Sequence, residues 1–241
     1  MGQHRSSMKI GIISDAHANV VGLKACISFL EKEHTVDKIY FLGDAVGYFL
    51  NPNETIDLLR EKQVTCIAGN HDAMITGKIV PDPQKAKVYL VDQTKHLITD
   101  SNLDFLNGLQ PSVEFEVKGR KILMVHGTPF DNYAGYFYPT DNVNIFDSFQ
   151  ADVICMGHTH WPLIKQTPKG KLIINPGSCG LPRDLGDRAS LAIYDMETNL
   201  AQIYRVRIDV EDIIRVNSYL DSSVIDCLRR KSDNAFGEMV N

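Results

Sequence analysis

The stretch Met8-Lys9-Ile10-Gly11-Ile12-Ile13-Ser14-Asp15-Ala16-His17 decides the fold of this 241-residue chain. Isoleucines at 10, 12 and 13 crowd a short run that closes on an aspartate and a histidine, so residues 8–14 read as a buried strand with polar side chains at its carboxyl end. Working outward, Asn19 is placed to cap a helix running to about residue 33, with Val20, Leu23, Ile27 and Leu30 on one face. Residues 38–42 read as a second strand, Asn51-Pro52 opens a helix with proline at its first position, and residues 64–68 read as a third strand. Strand and helix alternating in this way are the pattern of a parallel α/β sheet.

Beyond this point the pattern changes. Residues 73–109 are more polar and mostly helical, an insertion expected beside the strand ends. Runs at 113–117 and 121–125 flank Lys118-Gly119-Arg120, which reads as a hairpin turn. Further strands are expected at 152–156, 163–166, 171–174, 191–194 and 201–206, joined by turns carrying Pro168, Gly170 and Asn199. Asp209 is placed to cap a final helix over 210–220. The expected fold class is α/β, with two mixed β-sheets packed face to face and flanked by helices. One domain covers 8–220, and residues 1–7 and 231–241 are expected to be flexible ends.

The composition, 44% hydrophobic and 23% charged, is that of a soluble globular chain long enough to bury a large core without covalent staples. A net charge of −5 argues against binding bulk nucleic acid through a basic surface, but not against a small phosphorylated substrate whose charge is met by metal ions. The five cysteines, odd in number and without a CxxC pair, suit a reducing, cytoplasmic setting. No apolar run is long enough to span a membrane, and none reads as a signal peptide.

The chemistry lies in five short clusters, each directly after an apolar strand: Asp15-Ala16-His17, Gly43-Asp44, Gly69-Asn70-His71-Asp72, His126-Gly127 and Gly157-His158-Thr159-His160. In open α/β folds ligands bind at that carboxyl edge. Singly, each cluster has an ordinary explanation: a strand-end aspartate such as Asp15 caps the next helix. Jointly they supply aspartate, asparagine and histidine donors and no sulfur, a mixture suited to manganese, iron, zinc, nickel or cobalt. The set Asp15, His17, Asp44, Asn70, His126, His158 and His160 is too large for one tetrahedral ion and fits two ions sharing a carboxylate, about 3.5–4 Å apart.

These clusters, in this order, resemble the calcineurin-like metallophosphoesterases over about residues 8–207. The segments Gly43-Asp44-Ala45-Val46-Gly47-Tyr48, Asn51-Pro52-Asn53-Glu54, Asn175-Pro176-Gly177-Ser178 and Pro182-Arg183-Asp184 are similar to the small bacterial and archaeal branch. The resemblance implies a four-layer sandwich with one ion on Asp15, His17, Asp44 and His160 and a second on Asp44, Asn70, His126 and His158, Asp44 bridging. It also implies that His71 donates a proton to the leaving oxygen and that Asp72 orients or polarises His71. Two departures, Ala18 where the branch has glycine and Phe49-Leu50 where Gly-Pro is common, lie near the mouth of the site and remove no ligand.

The activity implied is dinuclear-metal-dependent hydrolysis of small phosphomonoesters or phosphodiesters by attack of a metal-bound hydroxide. The alternatives are a diadenosine polyphosphate or nucleotide hydrolase, and a catalytically silent scaffold of the same fold. Against the scaffold, every ligand and His71 are present. Arg183 and Arg188 are candidates to add charge near a phosphate, since a guanidinium grips two phosphate oxygens. Tyr48 is placed either to stack on a base or aromatic leaving group or to pack on Pro52, and Trp161 to pack beneath His160. The expected partner is a small phosphorylated substrate, with no bulk nucleic acid and no membrane.

Overall fold

A computed structural model describes residues 8–34 and 36–241. The flexible end expected at 1–7 lies outside the described residues. Strand β1 (Lys9–Ile13) pairs in parallel with β2 (Lys38–Phe41), and β2 with β3 (Thr65–Cys66). Between them run α1 (Val20–Phe29) and α2 (Pro52–Glu61). Asn19 caps α1, its side chain accepting from the Gly22 amide, and the helix continues into a π-helical turn, Leu30–His34. Strand β3 is shorter than the run 64–68. Ile67 still donates to the Phe41 carbonyl at 3.0 Å, but Ala68 turns away to the carbonyl of Gln110 at 2.8 Å, and the chain leaves the sheet towards the site.

Four short helices follow: α3 (Asn70–Ile75), α4 (Pro83–Val88), α5 (Val91–Leu97) and α6 (Asp100–Gly108). Then β4 (Ser112–Val117) and β5 (Arg120–Val125) form a hairpin. Lys118 and Gly119 both take positive φ, 52° and 75°, the backbone that matches the strands' right-handed twist in a two-residue turn. Next come β6 (Val153–Cys155), β7 (Leu163–Gln166), β8 (Leu172–Asn175), β9 (Arg188–Asp195) and β10 (Leu200–Arg207). The strands make two mixed sheets, ordered β10-β9-β1-β2-β3, with a further edge strand beyond β10, and β4-β5-β6-β8-β7.

Alternation along β1 assigns its faces. Ile10 and Ile12 enter the core between the sheets with Leu42, Met124, Val153, Ile174 and Tyr194, whereas Ile13 faces the helices and packs with Leu23, Leu30 and Leu191. The outer face of the second sheet (Val125, Ile154, Ile173) is covered by Phe137 and Phe146, carried by coil and a 3-10 turn, Val143–Ser148. The result is two sheets face to face with helices outside the first and a coil-and-turn layer outside the second.

The C-terminal part differs from expectation. The helix expected over 210–220 ends early, as α7 (Val210–Val216), and a further helix that was not expected, α8 (Ser222–Leu228), follows it. Asp209 caps the first, as expected, and Asp221 caps the second by accepting from the Ser223 amide at 2.9 Å. Residues 231–241 are not a frayed end. Strand β11 (Glu238–Val240) is that edge strand, adding to β10 in parallel, and Arg188 donates to the Val240 carbonyl at 2.8 Å. The domain therefore reaches past residue 220.

Candidate metal centre and active site

All five polar clusters converge at the carboxyl edge shared by the two sheets. Asp15 and His17 lie just after β1, Asp44 after β2, Asn70 and His71 at the start of α3, His126 after β5, and His158 and His160 after β6. Much of this backbone is in the left-handed region: φ is 56° at Asp15, 52° at His17, 62° at Ala18, 60° at Asp44, 66° at His158 and 60° at His160. Each such non-glycine residue costs about 1–3 kcal/mol and persists only where the surroundings enforce it, a feature that clusters at functional sites.

Three histidines are locked by the main chain. The Nδ1 of His17, His126 and His160 lies 3.2, 2.7 and 2.6 Å from the carbonyls of Val46, Leu42 and Leu181. A carbonyl only accepts, so Nδ1 carries the hydrogen in each ring and Nε2 faces inward. Nε2 of His17 then lies 3.0 Å from Nε2 of His160. Burial holds both rings' pKa well below the ordinary histidine range, so two lone pairs face each other. Nε2 of His160 also lies 3.4 Å from Asp15 Oδ1. Asp15 Oδ1 and His158 Nε2 are buried with no hydrogen-bond partner among the described residues. Burial pushes the Asp15 carboxyl up to about 7 and the His158 ring down to about 3. Acceptors facing acceptors in a closed space are satisfied by a cation, and backbone-anchored histidines are how proteins hold one.

Asp44 lies between the two halves. Its Oδ2 is 3.8 Å from His17 Nε2 and 3.3 Å from His126 Nε2, and His126 Nε2 is 3.0 Å from Asn70 Oδ1. Burial works against the Asp44 charge, but the surrounding His126, His71 and His17 hold its pKa well below the usual carboxylate range. His126 is the exception among the locked rings. Burial opposes its charge, yet Asp44 and its hydrogen bonds push it up to about 9, so a cation arriving here displaces a proton. Two groups, Asp15–His17–His160 and Asp44–His126–His158, each offer ligand atoms within 4.8 Å of one another, and a third joins His17, Asp44 and His71. The donor set therefore fits divalent metal, with Asp44 Oδ2 at the centre.

His71 is buried beside this set. Its backbone amide donates to Asp44 Oδ1 at 2.8 Å and its ring stacks on Tyr48, 5.2 Å between centroids. Burial lowers its pKa, with His126 and Arg183 adding to the fall and Asp44 opposing it. Gly47 makes room for the ring: at φ 99°, a Cβ there would come within 2.3 Å of His71 Nδ1. Gly69 is equally constrained, since a Cβ would lie 2.1 Å from Asp44 Oδ1.

Asp72 acts on His71 through the main chain. Its carboxylate accepts three main-chain amides, from Gly69 at 2.9 Å, Asp44 at 2.8 Å and Ala45 at 2.9 Å, instead of facing the His71 ring. It clamps the Asp44 loop to the start of α3, and so sets where both Asp44 and His71 stand. Burial and the nearby Asp44 push its pKa up to about 7.

A cavity of about 300 Å³ opens over these residues, lined by Asp44, Asn70, His71, His158 and His160. Arg183 is on its wall, its guanidinium donating to the Tyr48 hydroxyl at 3.3 Å. Arg188 is not: it holds β11. Trp161, next to His160 in the chain, lines the cavity too. Sequence reasoning missed Tyr89, Tyr136 and Tyr138, which complete the wall. Nothing in the spacing of Tyr136-Phe137-Tyr138 marks it, beyond three aromatics in a row outside any strand.

Residues 8–199 match the calcineurin-like phosphoesterase superfamily domain, and the chain belongs to that superfamily. An uncharacterized protein of Methanocaldococcus jannaschii is 34% identical over 218 residues, 84% of this chain and 88% of the relative. A metallophosphoesterase from Sphaerobacter thermophilus superposes with a TM-score of 0.75 at 29% identity, covering 92% of this chain and 98% of its own. A hypothetical protein from Pyrococcus horikoshii has the same fold, with a TM-score of 0.79 at 23% identity over 92% of this chain and 98% of its own. No helix among the described residues is long and apolar enough to cross a membrane.

Proposed function

We propose that this chain is a phosphoesterase that holds two divalent transition-metal ions per chain and hydrolyses small phosphomonoesters or phosphodiesters. The observation that carries this reading is the pair of inward lone pairs, His17 Nε2 and His160 Nε2, 3.0 Å apart beside the unpartnered Asp15 Oδ1. Asp15, His17, Asp44 and His160 would hold one ion, and Asp44, Asn70, His126 and His158 the other. The position of Asp44 Oδ2, in reach of both His17 and His126, supports its sharing. Bound there, the ions supply the positive charge and the activated water that phosphoester hydrolysis needs.

The remaining roles belong to the chain. Arg183 is half-buried on the cavity wall, where its planar fork suits two phosphate oxygens and the Tyr48 hydroxyl fixes one arm. His71 is held neutral by burial. An arriving phosphate dianion favours its protonated form, which then delivers a proton to the leaving oxygen. Asp72 keeps Asp44 and His71 in register through the backbone. A cavity of about 300 Å³ lies at the small end for ligand sites, and the net charge of −5 repels a long polyanion.

The test is a side-by-side rate comparison of nitrophenyl esters, nucleotides, dinucleoside polyphosphates and single-stranded DNA at one salt concentration, with manganese-loaded protein. Turnover of the small esters above the DNA is expected, including bis-nitrophenyl phosphate. Clear preference for the DNA, or no hydrolysis of any member, overturns the reading. Strong preference for the dinucleoside polyphosphates replaces it with nucleotide hydrolysis.

A further inference from the structure

The wall of the cavity carries more aromatic surface than phosphoester hydrolysis requires. Five aromatic side chains, Tyr48, Tyr89, Tyr136, Tyr138 and Trp161, stand around a polar floor. On one side Tyr48 and Tyr89 pack against the His71 ring, at 5.2 and 4.3 Å between centroids. On the other, Tyr136 lies 4.4 Å from the His158 ring and stacks nearly parallel on Tyr138, 14° apart. Tyr136 and Tyr138 are 58% and 39% exposed, so core packing does not account for them.

These rings are held in place rather than trailing from a loose loop. Asp131 Oδ1 accepts from the Tyr133 and Ala134 amides, at 3.1 and 3.0 Å. The Tyr138 amide donates to Asp141 Oδ2 at 2.7 Å, and Lys165 Nζ ties the Asp141 carbonyl to β7 at 2.9 Å. Trp161 follows His160 directly in the chain, so its position is set by the same locked histidine. Rigid aromatic faces around a charged floor form a stacking platform whose ordering cost is already met in the folded chain.

We propose that this aromatic wall is the subsite for the alcohol part of the substrate, and that it selects phosphoesters whose alcohol carries a flat aromatic or heteroaromatic ring system. The proposal rests on the phosphoesterase reading of the same cavity. The volume allows it: about 300 Å³ has room for a phosphoryl group with a flat ring beside it. The position sets the part of the substrate. The phosphate is drawn to the histidines and Arg183, which leaves the walls for the group bonded to it. Tyr136 and Trp161 are then specificity residues, in contact with the substrate but not with the reacting atoms.

A binding experiment isolates this from turnover. Benzylphosphonate and cyclohexylmethylphosphonate match in charge and size and differ in whether the ring is aromatic; neither can be hydrolysed. Calorimetry on manganese-loaded protein should find the benzyl compound bound about 2- to 12-fold more tightly. Trp161 is the chain's only tryptophan, so its fluorescence should report the same event. In Tyr136→Leu and Trp161→Leu, which keep apolar bulk, the ratio should fall towards one while metal content holds. Phosphonate analogues of adenosine 5′-phosphate and ribose 5-phosphate form a second pair. A gain for the adenosine analogue assigns the ring to nucleosides, and a gain confined to the benzyl pair assigns it to simple aryl alcohols. Equal affinities within both pairs, no binding of any phosphonate, or a preference that survives both substitutions overturns the subsite. Ester turnover without ring preference leaves the phosphoesterase reading intact and sinks only this one; ring preference without turnover does the reverse.

Discussion

At the scale of single residues, the site is organised by where histidine hydrogens are forced to go. Because main-chain carbonyls fix Nδ1–H in His17, His126 and His160, the inward nitrogen is decided before any ligand arrives. Among the described residues the His71 ring makes no such hydrogen bond, and it stacks on Tyr48 at the cavity wall. His71→Ala should therefore keep the metal content and lose about 10²–10⁴-fold in turnover. The loss should be smaller for a nitrophenyl ester, whose leaving oxygen needs less help. Elemental analysis beside the rate assay checks this, and a fall in metal content would make His71 a ligand. Asp72→Asn should behave differently. An amide nitrogen would face main-chain N–H groups at a fully buried position, destabilising the fold by about 1–3 kcal/mol and weakening metal binding through the displaced Asp44 loop. Thermal unfolding and metal titration measure both. An unchanged melting temperature with a large loss of turnover would restore the direct partnership with His71.

At the scale of elements, the loop between β8 and β9 explains why Arg183 is available to the cavity. Asp184, next to it, forms a buried bidentate pair with Arg205 of β10, at 2.5 and 2.6 Å, and Arg205 also donates to the carbonyls of Arg188 and Phe236. Arg230 and Cys227, at the end of α8, donate to the carbonyls of Arg183 and Pro182. The C-terminal elements thus brace the loop from behind. Arg205→Met alone should leave the Asp184 carboxylate buried and unpaired, costing about 3–5 kcal/mol, and the double change Arg205→Met with Asp184→Leu should recover most of it. Denaturant unfolding of the three proteins decides the matter, and a single variant as stable as the wild type would contradict the bracing. Nothing about this pair could be read from the sequence, because its partners are far apart in the chain and meet only when β10 lies beside β9. The early end of α7 and the whole of α8 were missed for a local reason. Asn217 and Asp221 both suit a helix boundary, as Asp209 does, but only the observed caps show that one ends α7 and the other starts α8.

At the scale of the whole molecule, the chain's order encoded the architecture well. β1, α1, β2 and α2 were legible because buried strands and a proline-opened helix carry strong local patterns. The candidate metal residues were legible because each directly follows a strand, and parallel strands bring their carboxyl ends to one edge. What was not legible is what depends on the third dimension: the aromatic wall, the Asp72 clamp and the strand formed by the C-terminal residues. These features serve the proposed function, in which the two facing half-sites hold a pair of divalent ions on which activity depends. The most direct measurement is a manganese titration of chelator-stripped protein, read by calorimetry and elemental analysis with ester hydrolysis followed at each step. The account predicts two ions per chain at saturation, no hydrolysis before loading, and loss of both ions in Asp44→Asn, whose neutral amide bridges poorly. Full activity in the stripped protein, or saturation at a single ion with every ligand intact, would contradict it.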